Sequence, residues 1–246
     1  MVDLLAALPE NSVATDDARA LLRDEDLDGS LKARVVADHA FGPQDSALLG
    51  DLAVGPDDDL AFHALKKLGE ADPAAAGRLA LATVARADAA SDMRLSAAYK
   101  VLVRSGALDS DRTTKSALLR HLATVLAAPD TSPELCDSAA FALADMRSLD
   151  ALRILLESGA ADAVARAGAV DQNAALIRDA LRNDPDAATI ELAVTAMELH
   201  PVTEIAAPLG AVRERIASPE LVQRLDAALA RIARDGAPLN PKWTED

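Results

Sequence analysis

A short pattern of small and apolar positions recurs along the chain with the spacing of one helical face. The pattern begins with a small residue. The third residue after it is Ala or Val, the fourth after it is apolar, and the seventh after it is usually apolar as well. The pattern is clearest at Ala61–Leu68 and Ala139–Met146, and looser copies begin at Ala33, Ala98 and Ala193. This spacing puts the side chains on one stripe of an α-helix, so each copy predicts an amphipathic helix.

A second amphipathic segment follows each copy after a short break. These second helices are predicted at residues 74–86, 111–127, 149–157, 174–183 and 202–216. An extra helix is expected around Ala161–Ala167, in the longest interval between copies, and a final one spans Leu221–Ile232. No run alternates polar and apolar residues over more than a few positions, so the chain is predicted to be helical throughout.

Proline and glycine mark the predicted helix boundaries. Proline is tolerated at the first position of a helix, where its missing N–H needs no partner. This predicts helix starts at Pro56, Pro73, Pro133, Pro201 and Pro219. Glycine favours helix ends, which predicts stops at Gly69, Gly106, Gly159 and Gly236.

Residues Leu135–Leu143 (LCDSAAFAL), followed by Ser148–Leu155 (SLDALRIL), resemble a HEAT repeat. In that family the first helix carries an Ala-Ala-x-Ala-Leu pattern and the second an Ala-Leu-x-x-Leu pattern. The resemblance covers residues 29–235 and implies an all-α, right-handed α-α superhelix, the HEAT-like solenoid, with irregular repeats. It implies one repeat domain over residues 1–235 and a C-terminal tail, 236–246. The alternative is an irregular, alanine-rich helical bundle.

The composition favours helix packed on helix. Half of the 246 residues are apolar but only 2% are aromatic, so Ala, Leu and Val must fill the core. Alanine is the best helix former and lets helix axes approach closely. The start of the chain lacks a signal-peptide pattern, and no uncharged apolar run reaches the roughly 20 residues of a membrane span. Together with a single cysteine, Cys136, these features predict a cytoplasmic protein.

No sequence motif assigns catalytic chemistry to the chain. It contains no GxGxxG, no Walker-type glycine loop and no HExxH. The four histidines are far apart, and none precedes a glutamate, the dipeptide that HEAT-like iron oxygenases repeat. Cys136 has no evident base beside it. We therefore predict a protein that is not an enzyme and has no catalytic residue, cofactor or metal.

Charge is the one feature that points to a kind of partner. The formal net charge is −15, and residues 1–62 hold 14 acidic and four basic side chains. Such a chain repels nucleic acid. The predicted second helices carry ten basic and six acidic residues, and in HEAT solenoids these helices usually line the concave side. The resemblance thus implies an arginine ladder in the groove, made of Arg78, Arg120, Arg153, Arg178 and Arg213. The alternative is that these arginines only solvate exposed helix faces.

Two functions follow from this description. The first is a non-catalytic scaffold or adaptor whose groove accepts an acidic or amphipathic segment of another protein. The second is a binder or modifier of nucleic acid or of a phosphorylated ligand. HEAT-like alkylpurine DNA glycosylases belong to this class, but they use a basic concave face and tryptophans around the lesion. Here Trp243 is the only tryptophan and the net charge has the opposite sign. Neither the partner's identity nor the oligomeric state follows from the sequence.

Trp243 lies in the tail that follows Gly236, where two prolines prevent a helix. Because an exposed indole leaves a large apolar surface in water, we expect Trp243 to fold back near Leu225, Leu229 and Ile232 and to cap the repeats. Its fluorescence should then be blue-shifted and poorly quenched by iodide. Emission like that of free tryptophan, with full quenching, would instead indicate an exposed tail that is available as a recognition motif.

Overall fold

The computed structural model describes residues 15–87, 90–106, 108, 112–158 and 163–239. It is 79% helix, and no strand occurs in the described residues, which confirms the prediction of an all-helical chain. In chain order the helices are α1 Thr15–Arg23, α2 Gly29–Asp38, α3 Ser46–Ala53, α4 Asp58–Ala71, α5 Pro73–Val84, α6 Asp92–Arg104, α7 Arg112–Ala127, α8 Pro133–Asp145, α9 Leu149–Glu157, α10 Ala163–Arg182, α11 Ala187–Leu199, α12 Ala206–Ala211 and α13 Pro219–Asp235.

The repeated pattern marks the buried face of five helices, α2, α4, α6, α8 and α11. The alanines that begin its five copies are at most 2% exposed: Ala33, Ala61, Ala98, Ala139 and Ala193. The residues three positions later are buried as well. In the copy at Ala33 the helix α2 ends at Asp38, before the seventh position of the pattern.

The predicted second helices at 74–86, 111–127 and 149–157 correspond to α5, α7 and α9. Two later predictions are wrong. Helix α10 runs unbroken for 20 residues, where an extra helix and a separate second helix were expected, because Gly168 alone does not end it. The segment 202–216 contains only the short α12, between two 3₁₀ turns at Thr203–Ile205 and Arg213–Arg215.

Three of the predicted proline starts are confirmed. Pro73, Pro133 and Pro219 each occupy the first position of a helix. The residue before each proline caps the helix with its side chain, as when the Ser132 hydroxyl accepts a hydrogen bond from the amide of Leu135 at 3.2 Å. These caps satisfy amide groups that have no partner within the helix.

Other boundary predictions are wrong for identifiable reasons. Pro56 precedes the helix, because Asp57 caps α4 by accepting a hydrogen bond from the Leu60 amide at 2.9 Å. Pro201 is buried and starts no helix. Gly69 lies inside α4 rather than at its end. A Cβ built at Gly69 would stand 3.4 Å from a methyl group of Val101 on α6.

Two glycine stops are confirmed and one falls outside the described residues. Gly106 follows α6 with a φ of 68°, the left-handed conformation that glycine adopts freely. Helix α13 ends at Asp235, and Gly236 caps it in an extended conformation. Gly159 lies outside the described residues.

The chain divides into two compact units, Met1–Lys115 and Ser116–Asp246. In the first unit α4 is central, because it packs against α2, α3, α5 and α6. Helix α5 also packs against α3 and α6. Helices α3 to α6 therefore each contact the next helix and the next but one within this set, and α2 contacts the next but one, α4. A single repeat domain over residues 1–235 stays a prediction.

Helix α10 is central in the second unit, where it packs against α8, α9, α11 and α12. Helix α11 also contacts α9 and α13. Buried Asn173 ties α10 to the end of α8, since its side-chain amide donates hydrogen bonds to the carbonyls of Ala169 at 2.9 Å and Ala144 at 3.5 Å. Two sets of alternating helices result, α8, α10 and α12 in one and α9, α11 and α13 in the other.

The predicted tail begins as an anchored segment. The Ala237 amide donates to the Pro201 carbonyl at 3.0 Å, and the Ala237 carbonyl accepts from the Thr203 amide at 2.9 Å. The Leu239 amide donates to the Glu204 carboxylate at 2.9 Å. Trp243 lies outside the described residues, so its predicted position stays a prediction.

A buried ion pair holds α1 against the turn before α3. The Arg19 guanidinium donates two hydrogen bonds to the Asp45 carboxylate, at 2.6 and 3.1 Å, and the Gly42 amide donates a third at 2.9 Å. Asp45 is only 3% exposed. The Arg19 hydrogen bonds lower the pKa of Asp45 despite its desolvation.

This ion pair predicts an acid-sensitive contribution to stability. Because the pKa of Asp45 is lower in the folded state, its contribution is present above the unfolded pKa near 3.8 and is lost as the pH falls through the folded value. Urea unfolding should show Asp45→Asn to be less stable than the wild type at pH 7, with a difference that shrinks below about pH 4. Exposed Asp16, the other partner of Arg19, provides the control Asp16→Asn. A pH-independent difference for Asp45→Asn would contradict this assignment.

Candidate binding surfaces

The first unit contains a groove between the end of α3, the outer face of α5 and the start of α6, which we call the α3–α5 groove. Its volume is about 420 Å³. Ala53, Val54, Leu79 and Ala82 give it an apolar wall. Val54 is 60% exposed, which is unusual for a valine beside other apolar side chains. The predicted second helix α5 therefore lines a partly apolar groove.

Two arginines, Arg86 and Arg94, line this groove, and they differ in how their guanidinium groups are held. The Arg94 guanidinium donates to the Asp58 carboxylate at 2.5 Å and to the Gly55 carbonyl, so its position is fixed. The Arg94 hydrogen bond lowers the pKa of Asp58. Arg86 is exposed and has no carboxylate partner in the described part of the chain. In this groove the guanidinium of Arg94 is thus fixed by hydrogen bonds, whereas that of Arg86 has no carboxylate partner among the described residues.

The predicted arginine Arg78 lies on the exposed side of α5, four residues before Ala82 of the groove wall. Like Arg86, it has no carboxylate partner among the described residues. Arg120 on α7 is also exposed, and its guanidinium donates only to the Ser116 carbonyl at 3.4 Å. These two members of the predicted ladder remain open to an anionic partner.

The other three predicted arginines already have carboxylate partners. Arg153 lies 3.8 Å from Asp150, and Arg178 donates to Asp179 at 2.9 Å. Arg213 donates two hydrogen bonds to Asp226 at 2.8 and 2.9 Å, which lower the pKa of that carboxyl. An anionic ligand would have to displace an intramolecular carboxylate at each of them.

These arginines also belong to different sets of helices in the second unit. Arg153 lies on α9, whereas Arg178 lies on α10, which alternates with it. The predicted order of first and second helices changes here because α10 is one helix where two were expected. A role for all five arginines in ligand binding stays a prediction.

A second groove, of about 280 Å³, lies between α9 and α11 and is lined by Arg153. Its other charged residues, Glu157 and Glu191, are both acidic and outnumber that arginine. Close by, Arg224 of α13 donates two hydrogen bonds to Glu198, at 3.0 and 2.7 Å. Its guanidinium also lies 3.7 Å from Glu191. Charge in this groove is therefore satisfied within the chain.

The sequence pattern missed Val54, Arg86 and Arg94 as groove residues. Val54 ends α3, a helix that the repeat does not mark. Arg86 lies eight positions after Arg78, a helical spacing, but α5 ends at Val84 and so spacing does not determine its direction. Arg94 acquires its position from contacts with Asp58 and Gly55, 36 and 39 residues earlier.

Among the described residues, no group of three or more His, Cys, Asp or Glu side chains is arranged to hold a metal ion. No helix in the same residues is long and apolar enough to cross a membrane. Comparison with protein-family models, curated proteins and solved structures found no match to this chain.

Proposed function

We propose that the chain is a HEAT-like solenoid that acts as a non-catalytic scaffold and binds an acidic, amphipathic segment of another protein. Stacked helix pairs require that each helix contact the next and the next but one. Helices α3 to α6 have this relation in the first unit, where α2 contacts α4, and α8 to α13 have it in the second. The buried alanines that begin the five copies of the pattern support the same architecture.

The α3–α5 groove is the observation that carries the binding proposal. An apolar wall that includes exposed Val54 suits leucine or phenylalanine side chains of a partner. Arg86 and Arg78 lie beside it without carboxylate partners among the described residues. A partner segment that combines apolar and acidic side chains would satisfy both features.

The distribution of charge supports the same choice of surface. Residues 63–115 hold nine basic and six acidic side chains, whereas residues 1–62 have a large acidic excess. A long polyanion such as nucleic acid would meet repulsion beyond the groove. A short acidic segment would not extend so far.

Peptides selected from a random library on the full-length chain provide the test. The selected peptides should be enriched in Asp and Glu beside large apolar residues. Arg86→Glu and Val54→Asp should each lower the affinity for these peptides at least tenfold, which corresponds to about 1.4 kcal/mol of binding free energy. Both positions are exposed, so neither substitution should disturb the core.

Arg182→Glu is the matched control, because Arg182 is exposed on α10 in the second unit and the change in net charge is the same. Its affinity for the selected peptides should equal that of the wild type. Selection of basic peptides, or equal binding by wild type and Arg86→Glu, would show that this groove is not the binding surface.

A further inference from the structure

A second surface of the first unit lies between α4 and α6, away from the residues of the α3–α5 groove, and we call it the α4–α6 pocket. It is lined by Lys66, Gly69 and Glu70 of α4, by Lys100, Val101 and Arg104 of α6, and by Ser105. Its volume is about 110 Å³. A Cβ at Gly69 would stand 3.4 Å from a methyl group of Val101, an ordinary van der Waals distance.

Three cations surround this pocket. The ammonium groups of Lys66 and Lys100 lie 5.2 and 5.9 Å from the centre of the same Phe62 ring. Within the described residues neither lysine has a carboxylate partner, and neither does Arg104. Glu70, the one acid among the described residues that line the pocket, lies 3.5 Å from the ammonium group of Lys67. The pocket thus has an excess of positive charge in a chain of net charge −15.

Helix stability does not account for this cluster. A cation in the last turn of a helix is favoured by the negative end of the helix dipole, and this explains Arg104, the last residue of α6. Lys66 and Lys100 lie about a turn or more before the ends of their helices, where the dipole effect is small. Neighbouring like charges repel. Attraction of both ammonium groups to the Phe62 ring opposes this repulsion.

We propose that the α4–α6 pocket binds the phosphoryl group of a phosphorylated peptide side chain. A phosphomonoester carries nearly two negative charges and three acceptor oxygens, which match two ammonium groups and one guanidinium better than a carboxylate does. Arg104 supplies the planar pair of donors that suits a phosphoryl group. The pocket has a volume of about 110 Å³, which is enough for the oxygens of a phosphoryl group. This site does not depend on the α3–α5 groove.

Peptide pools with a central phosphoserine test the proposal on the full-length chain, beside matched pools with serine or glutamate and a short single-stranded oligonucleotide. The phosphoserine pool should bind at least about tenfold more tightly than the glutamate pool. Inorganic phosphate, added alone, should shift the backbone amide resonances of Gly69, Lys100 and Ser105.

Lys100→Gln and Lys66→Gln should each lower the affinity for the phosphoserine pool about tenfold. Arg104→Lys should lower this affinity less than Arg104→Gln. The control is Arg34→Gln, since Arg34 is exposed on α2 and lies 3.7 Å from Asp38; this variant should bind like the wild type. Circular dichroism verifies the fold of each variant. Equal binding of the phosphoserine and glutamate pools, tighter binding of the oligonucleotide, or binding unchanged by Lys100→Gln would overturn the proposal.

Discussion

Close approach of helices at buried alanines is the constraint on which the rest of this structure depends. With so few aromatic residues, the chain cannot fill wide spaces between helices, and its core must form where backbones come near each other. Buried alanine at the start of each copy of the pattern permits that approach. Helix α4 in the first unit, and helices α10 and α11 in the second, consequently each pack against four others.

Ion pairing determines which surfaces are left for a partner. In the second unit Arg153, Arg178 and Arg213 all have carboxylate neighbours. In the first unit Arg78, Arg86, Lys66 and Lys100 have none among the described residues. An intramolecular carboxylate is held at high effective concentration, so a ligand competes poorly with it. The binding of an anionic partner that we propose uses these cations of the first unit.

Local signals were enough to predict the helices but not the way in which charged side chains pair. Proline after a capping Ser or Asp predicts the starts of α5, α8 and α13, because the stabilising contacts lie within one turn. Gly69 was misread as a stop because a single glycine does not end a helix, and α4 continues to Ala71.

The candidate sites show the same limit. The arginines of the ladder could be named because they lie on predicted second helices, yet the partner of Arg213 could not. Arg213 pairs with Asp226 across 13 residues, and Arg94 with Asp58 across 36. The pocket cations Lys66 and Lys100 come together only because α4 and α6 pack side by side. Spacing within one helix carries no information about such pairs.

Enlarging a buried alanine tests the packing constraint directly. Ala98 and Ala139 are fully buried at the starts of two copies of the pattern, whereas Ala230 is exposed on α13. If these alanines set the distance between helices, Ala98→Leu and Ala139→Leu should each lower the free energy of urea unfolding by roughly 1–3 kcal/mol. Ala230→Leu should change it by less than about 0.5 kcal/mol. Equal stability of all three variants and the wild type would contradict the account.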